Sequence, residues 1–188
     1  MSRTKWLWLA VLLLGVAPAF ADGSLDGPFE VRSAYIVFDQ GAGELNAQVQ
    51  YPLSDMVREA LAGGVTLYYD LDVIINRPRR FWFDATVVDL HLRRELSYHA
   101  VSDRYVLRGE DGTELETFPT VEAAVARLSR IDNLSVVAES QLPGNGPWEV
   151  NVRADIRRGR MPAGLRTLLF WSDDWYRSSD WYTWTLNR

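Results

Sequence analysis

His91 and His99 are the chain's two imidazoles, and there is no cysteine. Nucleophilic and metal chemistry must therefore start from those two rings and the carboxylates. No G-x-S-x-G elbow accompanies them, so the serine–imidazole arrangement of a hydrolase has no support. The histidines stand eight residues apart, which on one extended strand is about 26 Å, too far to share an ion. They would meet only across a hairpin near Glu95, and Arg93-Arg94-Glu95-Leu96 offers no glycine, proline or asparagine to turn it. A His-His-Glu metal site is not expected, nor is any cofactor. Without cysteine, neither disulfides nor thiolate metal sites can hold the fold together.

Carboxylates pair at Asp70 and Asp72 and again at Asp173 and Asp174. Glycoside hydrolysis uses two acids about 5 to 10 Å apart, but same-face neighbours on a strand meet that spacing by geometry alone. Calcium at Asp173, Asp174 and Asp180 rests on spacing only. No catalytic residue is assigned, and the chain reads as a non-enzyme.

Arginine is more informative. Lys5 is the only lysine, and the guanidinium fork suits carboxylates and phosphates better than an ammonium. Arg79 and Arg80 fall in Asn76-Arg77-Pro78-Arg79-Arg80 between two apolar runs, and Arg157 and Arg158 follow another. Both groups are expected in loops that present fixed positive charge to phosphate, carboxylate or an acidic partner. The competing reading is that these arginines only solvate the surface and guard strand edges.

The run WSDDWYRSSDWYTW, Trp171 to Trp184, holds four of the eight tryptophans. Within it and just beyond, Tyr182, Trp184 and Leu186 alternate with Trp181, Thr183 and Thr185, the pattern of a strand with one buried face. Leu168 to Trp171 is the expected partner strand and Ser172 to Asp180 the loop between them. Trp175, Tyr176, Arg177 and Trp181 are then the residues expected at a partner or ligand surface, together with the arginine groups.

The elements that must carry these side chains are mostly strands. Period-two alternation places Leu45, Ala47, Val49 and Tyr51 on one face, likewise Val65 to Ile75 at odd positions, and Trp148, Val150, Val152, Ala154 and Ile156. Looser β-rich runs cover Phe29 to Phe38, Phe81 to Arg94, Leu96 to Leu107, Thr113 to Phe118 and Leu134 to Glu139. Asp111-Gly112 reads as a hairpin turn. Ser54 and Thr120 each open a short amphipathic helix, the first ending at Gly63-Gly64. Eight or nine strands with two short helices predict a mainly β fold: an antiparallel β-sandwich, immunoglobulin-like or a partly closed barrel, under two covering helices.

Residues 1 to 21 carry Arg3 and Lys5, an apolar stretch and Ala19-Phe20-Ala21, the pattern of a secretory signal peptide cleaved after Ala21. That predicts an exported, periplasmic protein with no stable transmembrane segment after cleavage and a single domain over residues 22 to 188. Cleavage removes two cations and leaves 18 basic against 25 acidic residues, a net charge of −7. Attraction to nucleic acid is not expected.

The runs LSYHAVSDRYVL (Leu96 to Leu107), TFPTVEAAVARL (Thr117 to Leu128) and MPAGLRTLLFWSDDWYRSSDWYTW from Met161 resemble an exported proteobacterial family, domain of unknown function 4390. The resemblance spans about Phe29 to Leu186. It implies no named activity and carries no catalytic residue onto any position here. Because members are often encoded near a membrane sensor kinase, it implies an envelope signalling partner. Two functions are expected in order: binding a protein partner of the cell envelope, then carrying or sensing a small anionic or amphipathic ligand such as a lipid or glycan fragment. A deep apolar cavity between the sheets would favour the second, a filled interior with an exposed aromatic patch the first.

Overall fold

The computed structural model describes residues 27–80, 83–109, 115–159 and 176–187. The strands are β1 (Glu30–Asp39), β2 (Ala42–Gln50), β3 (Leu67–Arg77), β4 (Ala85–His99), β5 (Arg104–Gly109), β6 (Leu115–Phe118), β7 (Arg130–Ala138), β8 (Trp148–Arg158), β9 (Tyr176–Ser178) and β10 (Tyr182–Leu186). Helix α1 (Asp55–Ala62) lies between β2 and β3, and α2 (Val121–Leu128) between β6 and β7.

A small antiparallel sheet has the order β1-β2-β7, and a larger one runs β10-β8-β3-β4-β5-β6. The short strand β9 pairs with β8 beyond the end of β10, so β9 and β10 lie in line along one edge of β8. Among the described residues neither sheet closes on itself. The expected mainly β, antiparallel sandwich with two helices is what forms; a barrel is not.

One-sided strands explain the core. Leu67, Tyr69, Leu71, Val73 and Ile75 of β3 and Trp148, Val150, Val152, Ala154 and Ile156 of β8 are all buried and share a cluster with Leu45 and Val49 of β2. Burying one such side chain contributes about 1.5–3 kcal/mol. The helices close the cluster with Val57, Ala60 and Leu61 on α1 and Val121, Ala124, Val125 and Leu128 on α2. Their starts are fixed as the sequence predicts: the Ser54 hydroxyl accepts from the Val57 amide at 3.3 Å and the Thr120 hydroxyl from the Ala123 amide at 3.2 Å. An ion pair between Arg58 and Glu122 ties α1 to α2.

Two expectations change. The runs split at Glu95 are one continuous strand, β4, and the reversal comes after His99, where Asp103 takes φ +51°. The described residues form ten strands, one or two more than expected, because the chain's final edge divides into β9 and β10. Among the described residues β10 pairs with β8, with Tyr182 opposite Val152 and Leu186 opposite Trp148. The expected strand at Leu168 to Trp171, the Asp111-Gly112 turn and the signal peptide with its cleavage after Ala21 lie outside the described residues. Among the described residues no helix is long and apolar enough to cross a membrane.

Candidate functional site

The polar face of the larger sheet gathers its charges where β4, β3 and β8 run side by side. Alternation turns Tyr68, Asp70 and Asp72 of β3 away from the core. Register then sets Asp70 between Arg93 and Asp155, Asp72 between His91 and Arg153, and Tyr68 between Glu95 and Arg157. From the edge, β9 adds Ser178 opposite Asp155 and Tyr176 opposite Arg157.

Each carboxylate is occupied. Asp70, buried, accepts from Arg93 Nε at 2.8 Å and lies 2.6 Å from Arg157 Nη2. Asp72 lies 2.7 Å from His91 Nδ1 and accepts from Arg153 Nη2 at 3.0 Å. Asp155, also buried, accepts from the Ser178 hydroxyl and from Tyr176 Oη at 3.4 Å, with Arg153 Nε 3.7 Å away. Arg93 Nη2 stands 3.2 Å from His91 Nε2. The Nδ1 side of the ring thus faces Asp72, and Nε2 faces Arg93 with Asp70 Oδ1 3.6 Å away.

Partial burial works against the charge on Asp72, but the hydrogen bonds and attraction of His91 and Arg153 outweigh it and hold the carboxyl below its ordinary value. Desolvation likewise opposes the charge on Arg153, and the Asp72 hydrogen bond with the attraction of Asp155 and Asp72 overcomes it and raises its pKa. Asp72 and Arg153 therefore favour their charged forms, and Asp72 is not tuned toward the raised pKa that suits a carboxyl general acid.

Aromatic rings frame it. The Arg153 guanidinium lies over Trp181 at 4.5 Å from the ring centroid, and Arg93 and Arg157 lie over Tyr68 at 5.5 and 6.0 Å. Tyr176 and Trp181 remain 59% and 41% exposed. Arg177 turns the other way and lies over the Phe29 ring at 5.8 Å. Trp175 lies outside the described residues.

The arginine groups part company. Arg157 and Arg158 are not in a loop: the ladder to β3 continues through Tyr68–Arg157 and Leu67–Arg158, so they are the last two residues of β8. Arg79 and Arg80 do sit in the loop after β3, whose end is at Arg77. Nine residues of strand separate Arg77 from Tyr68, the partner of Arg157, or about 30 Å. The surface expected to unite all these residues is thus divided: Arg79 and Arg80 lie toward one end of the sheet, Arg157 and Tyr176 toward the other, and Trp181 between them at the level of Arg153.

Sequence reading placed Asp70 and Asp72 on a polar strand face but did not join them to His91, Arg93, Arg153 and Asp155. The signal was present in the opposite charges at outward positions of three strands; what was missing was the register. His91 and His99 share β4 in extended form. Among the described residues no three His, Asp or Glu side chains gather as a metal site.

Described residues also line spaces elsewhere. Between the sheets, beside Tyr51, Tyr69, Arg94 and Leu128, the free volume is about 10 Å³, room for about one water. A polar surface cleft of about 660 Å³ is lined by Gly41, Glu139, Ser140, Leu142, Gly144 and Asn145.

A family model described as domain of unknown function 4390 matches residues 27–185. No curated protein and no solved structure matches the chain.

Proposed function

Because the chain belongs to that family of unknown function, we propose from its geometry that it is a non-enzymatic protein of the cell envelope that binds a protein partner. Contact is made through the β8–β9–β10 edge of its larger sheet. The observation that carries this reading is the stack of Arg153 on Trp181 at 4.5 Å, with the same guanidinium held by Asp72 at 3.0 Å. A tryptophan kept half-exposed on a charge that cannot swing away is an anchor that has lost its conformational freedom in advance. Tyr176 beside it and Arg157 on the next strand complete the Trp, Tyr and Arg composition that dominates binding energy at protein interfaces.

Two local observations support this reading over a carrier of lipid or glycan fragments: the gap beside Tyr51 and Tyr69 is about 10 Å³, far below the roughly 300–1,000 Å³ of a ligand pocket, and the larger cleft at Gly41 and Asn145 is polar and open to solvent. The arginines of the lattice already serve carboxylates, which suits a partner's aromatic and polar groups better than a free anion competing for the same donors.

Crosslinking and pull-down of the exported protein from membranes tests the reading, with Tyr176→Ala/Trp181→Ala as the comparison. A partner recovered by the wild type and weakened by about 30-fold or more in the double variant is the expected result, with a membrane sensor kinase among the candidates to look for. Background recovery alone, or the same set of proteins from both, would remove the proposal.

A further inference from the structure

At the far end of the larger sheet the connection from β3 to β4 carries a different chemistry. From Arg77 to Asp84 the sequence sets three arginines against one carboxylate, a local charge of +2 on a chain whose total is −5. Arg77, Arg79 and Arg80 are exposed, and Phe83 is 96% exposed. A ring so exposed gains nothing from burial; its apolar surface is held in water.

The neck beneath these residues is braced. Arg77 and Ala85 form the last pair of the ladder. The Thr86 hydroxyl donates to Asn76 Oδ1 at 3.0 Å, and the Asp84 carboxylate accepts from the Arg79 amide at 3.0 Å. The Arg77 guanidinium lies close against the backbone of Gly144. Arg77, Arg79, Arg80 and Phe83 therefore lie together at one end of the β3–β4 pair.

We propose that this end docks onto an anionic lipid surface, the arginines against headgroup phosphates and Phe83 in the interfacial layer. Charge complementarity selects a negative surface. The exposure of the ring selects lipid over an acidic protein: a side chain 96% exposed is fully desolvated only where the surroundings close around it, which an interface of mobile lipid does and a protein surface does only with a matching pocket. This inference stands apart from the proposed anchor, since Trp181 rests on Arg153, the register partner of Asp72, five residues or about 17 Å along the strands from Arg77. Docking at one end would leave the Trp181 edge open to a partner.

Residues 22–188 include every described strand, helix and core residue, and they are the protein to test. Sedimentation with vesicles of phosphatidylglycerol and phosphatidylcholine is compared with phosphatidylcholine alone, at low and high salt. Binding is expected to the anionic vesicles only and to weaken with salt. Arg77→Gln/Arg79→Gln/Arg80→Gln should weaken it about 100-fold, and Phe83→Ser about ten-fold. Unchanged circular dichroism in both variants keeps the comparison valid, and Tyr176→Ala/Trp181→Ala should bind vesicles like the wild type. The proposal fails if anionic vesicles are not bound, if zwitterionic vesicles bind equally, or if either tip variant binds undiminished. Capture of an acidic protein by the tip without vesicle binding would also overturn it, in favour of a protein partner.

Discussion

Asp70 of β3 and Asp155 of β8 are register partners with both carboxylates buried, so two negative charges face each other across the centre of the larger sheet. Like charges directly opposite destabilise a sheet. Here the cost is offset because Arg93 and Arg157 converge on Asp70 while Ser178, Tyr176 and Arg153 attend Asp155.

Removing one of those cations should reveal the repulsion. Arg157→Met is expected to cost about 2 kcal/mol in urea unfolding, because Asp70 keeps its burial and loses a partner. Adding Asp70→Asn should return roughly half of the loss, since the second change removes the stranded charge. Strict additivity of the two changes would show that the carboxylate does not feel Arg157.

Asp72 makes the network sensitive to acid. Its carboxyl is held below the ordinary value of 3.8, so the folded protein binds that proton less tightly than the unfolded chain. The stabilisation is complete well above the unfolded pKa and disappears as pH falls through the lower folded one. Stability should therefore fall on acidification below about pH 4, and Asp72→Asn should shrink the part of that fall due to this group. Denaturant titrations at pH 7 and pH 3 measure it; equal losses in variant and wild type would assign the acid limb to other groups.

The helix starts are the features most directly written in the residues. Ser54→Ala and Thr120→Ala each remove the side-chain acceptor of a first-turn amide and should cost about 1 kcal/mol, measured by thermal unfolding. A cost near zero for either would mean that packing of Val57 or Val121, not the cap, sets that boundary.

Alternation made β2, β3 and β8 legible because one face of each meets core and the other does not, and that contrast is local. The continuous β4 was not, although Arg93-Arg94-Glu95 lacks every turn former. Its true reversal, Ala100 to Asp103, depends on Asp103 adopting a left-handed backbone, φ +51°, which aspartate tolerates better than most residues without announcing it. The charge lattice was hidden for a different reason. Asp72 and Arg153 are 81 residues apart, and the order β8-β3-β4 is settled by how whole strands pack, so outward-facing charges could be recognised singly but not matched. The exposed Tyr176 and Trp181 were legible because each falls outside the alternating apolar positions of the last strand.

Gly146 shows a constraint that no pattern reveals. It holds φ +82°, and a Cβ there would lie 2.8 Å from Cζ3 of Trp148, a ring with no exposure and no room to retreat. Gly146→Ala thus combines backbone strain with overpacking and should cost about 2–4 kcal/mol. An unfolding midpoint within error of the wild type would mean that the loop shifts to relieve the contact.

The two tryptophans near the C-terminus should separate fold from recognition. Trp184 stands opposite Val150 and packs against the core, with Tyr182 5.8 Å away by ring centroid. Trp181 precedes the strand, faces solvent and rests on Arg153. Trp184→Ala should therefore cost about 3 kcal/mol through the cavity it leaves, whereas Trp181→Ala should cost about 1 kcal/mol, the value of an exposed cation–π contact. Acrylamide should quench more of the fluorescence in a protein that keeps Trp181 than in one that keeps Trp184 alone. If Trp181→Ala destabilised as much as Trp184→Ala, the ring would be a structural support of the sheet edge and unsuited to the anchoring role assigned to it.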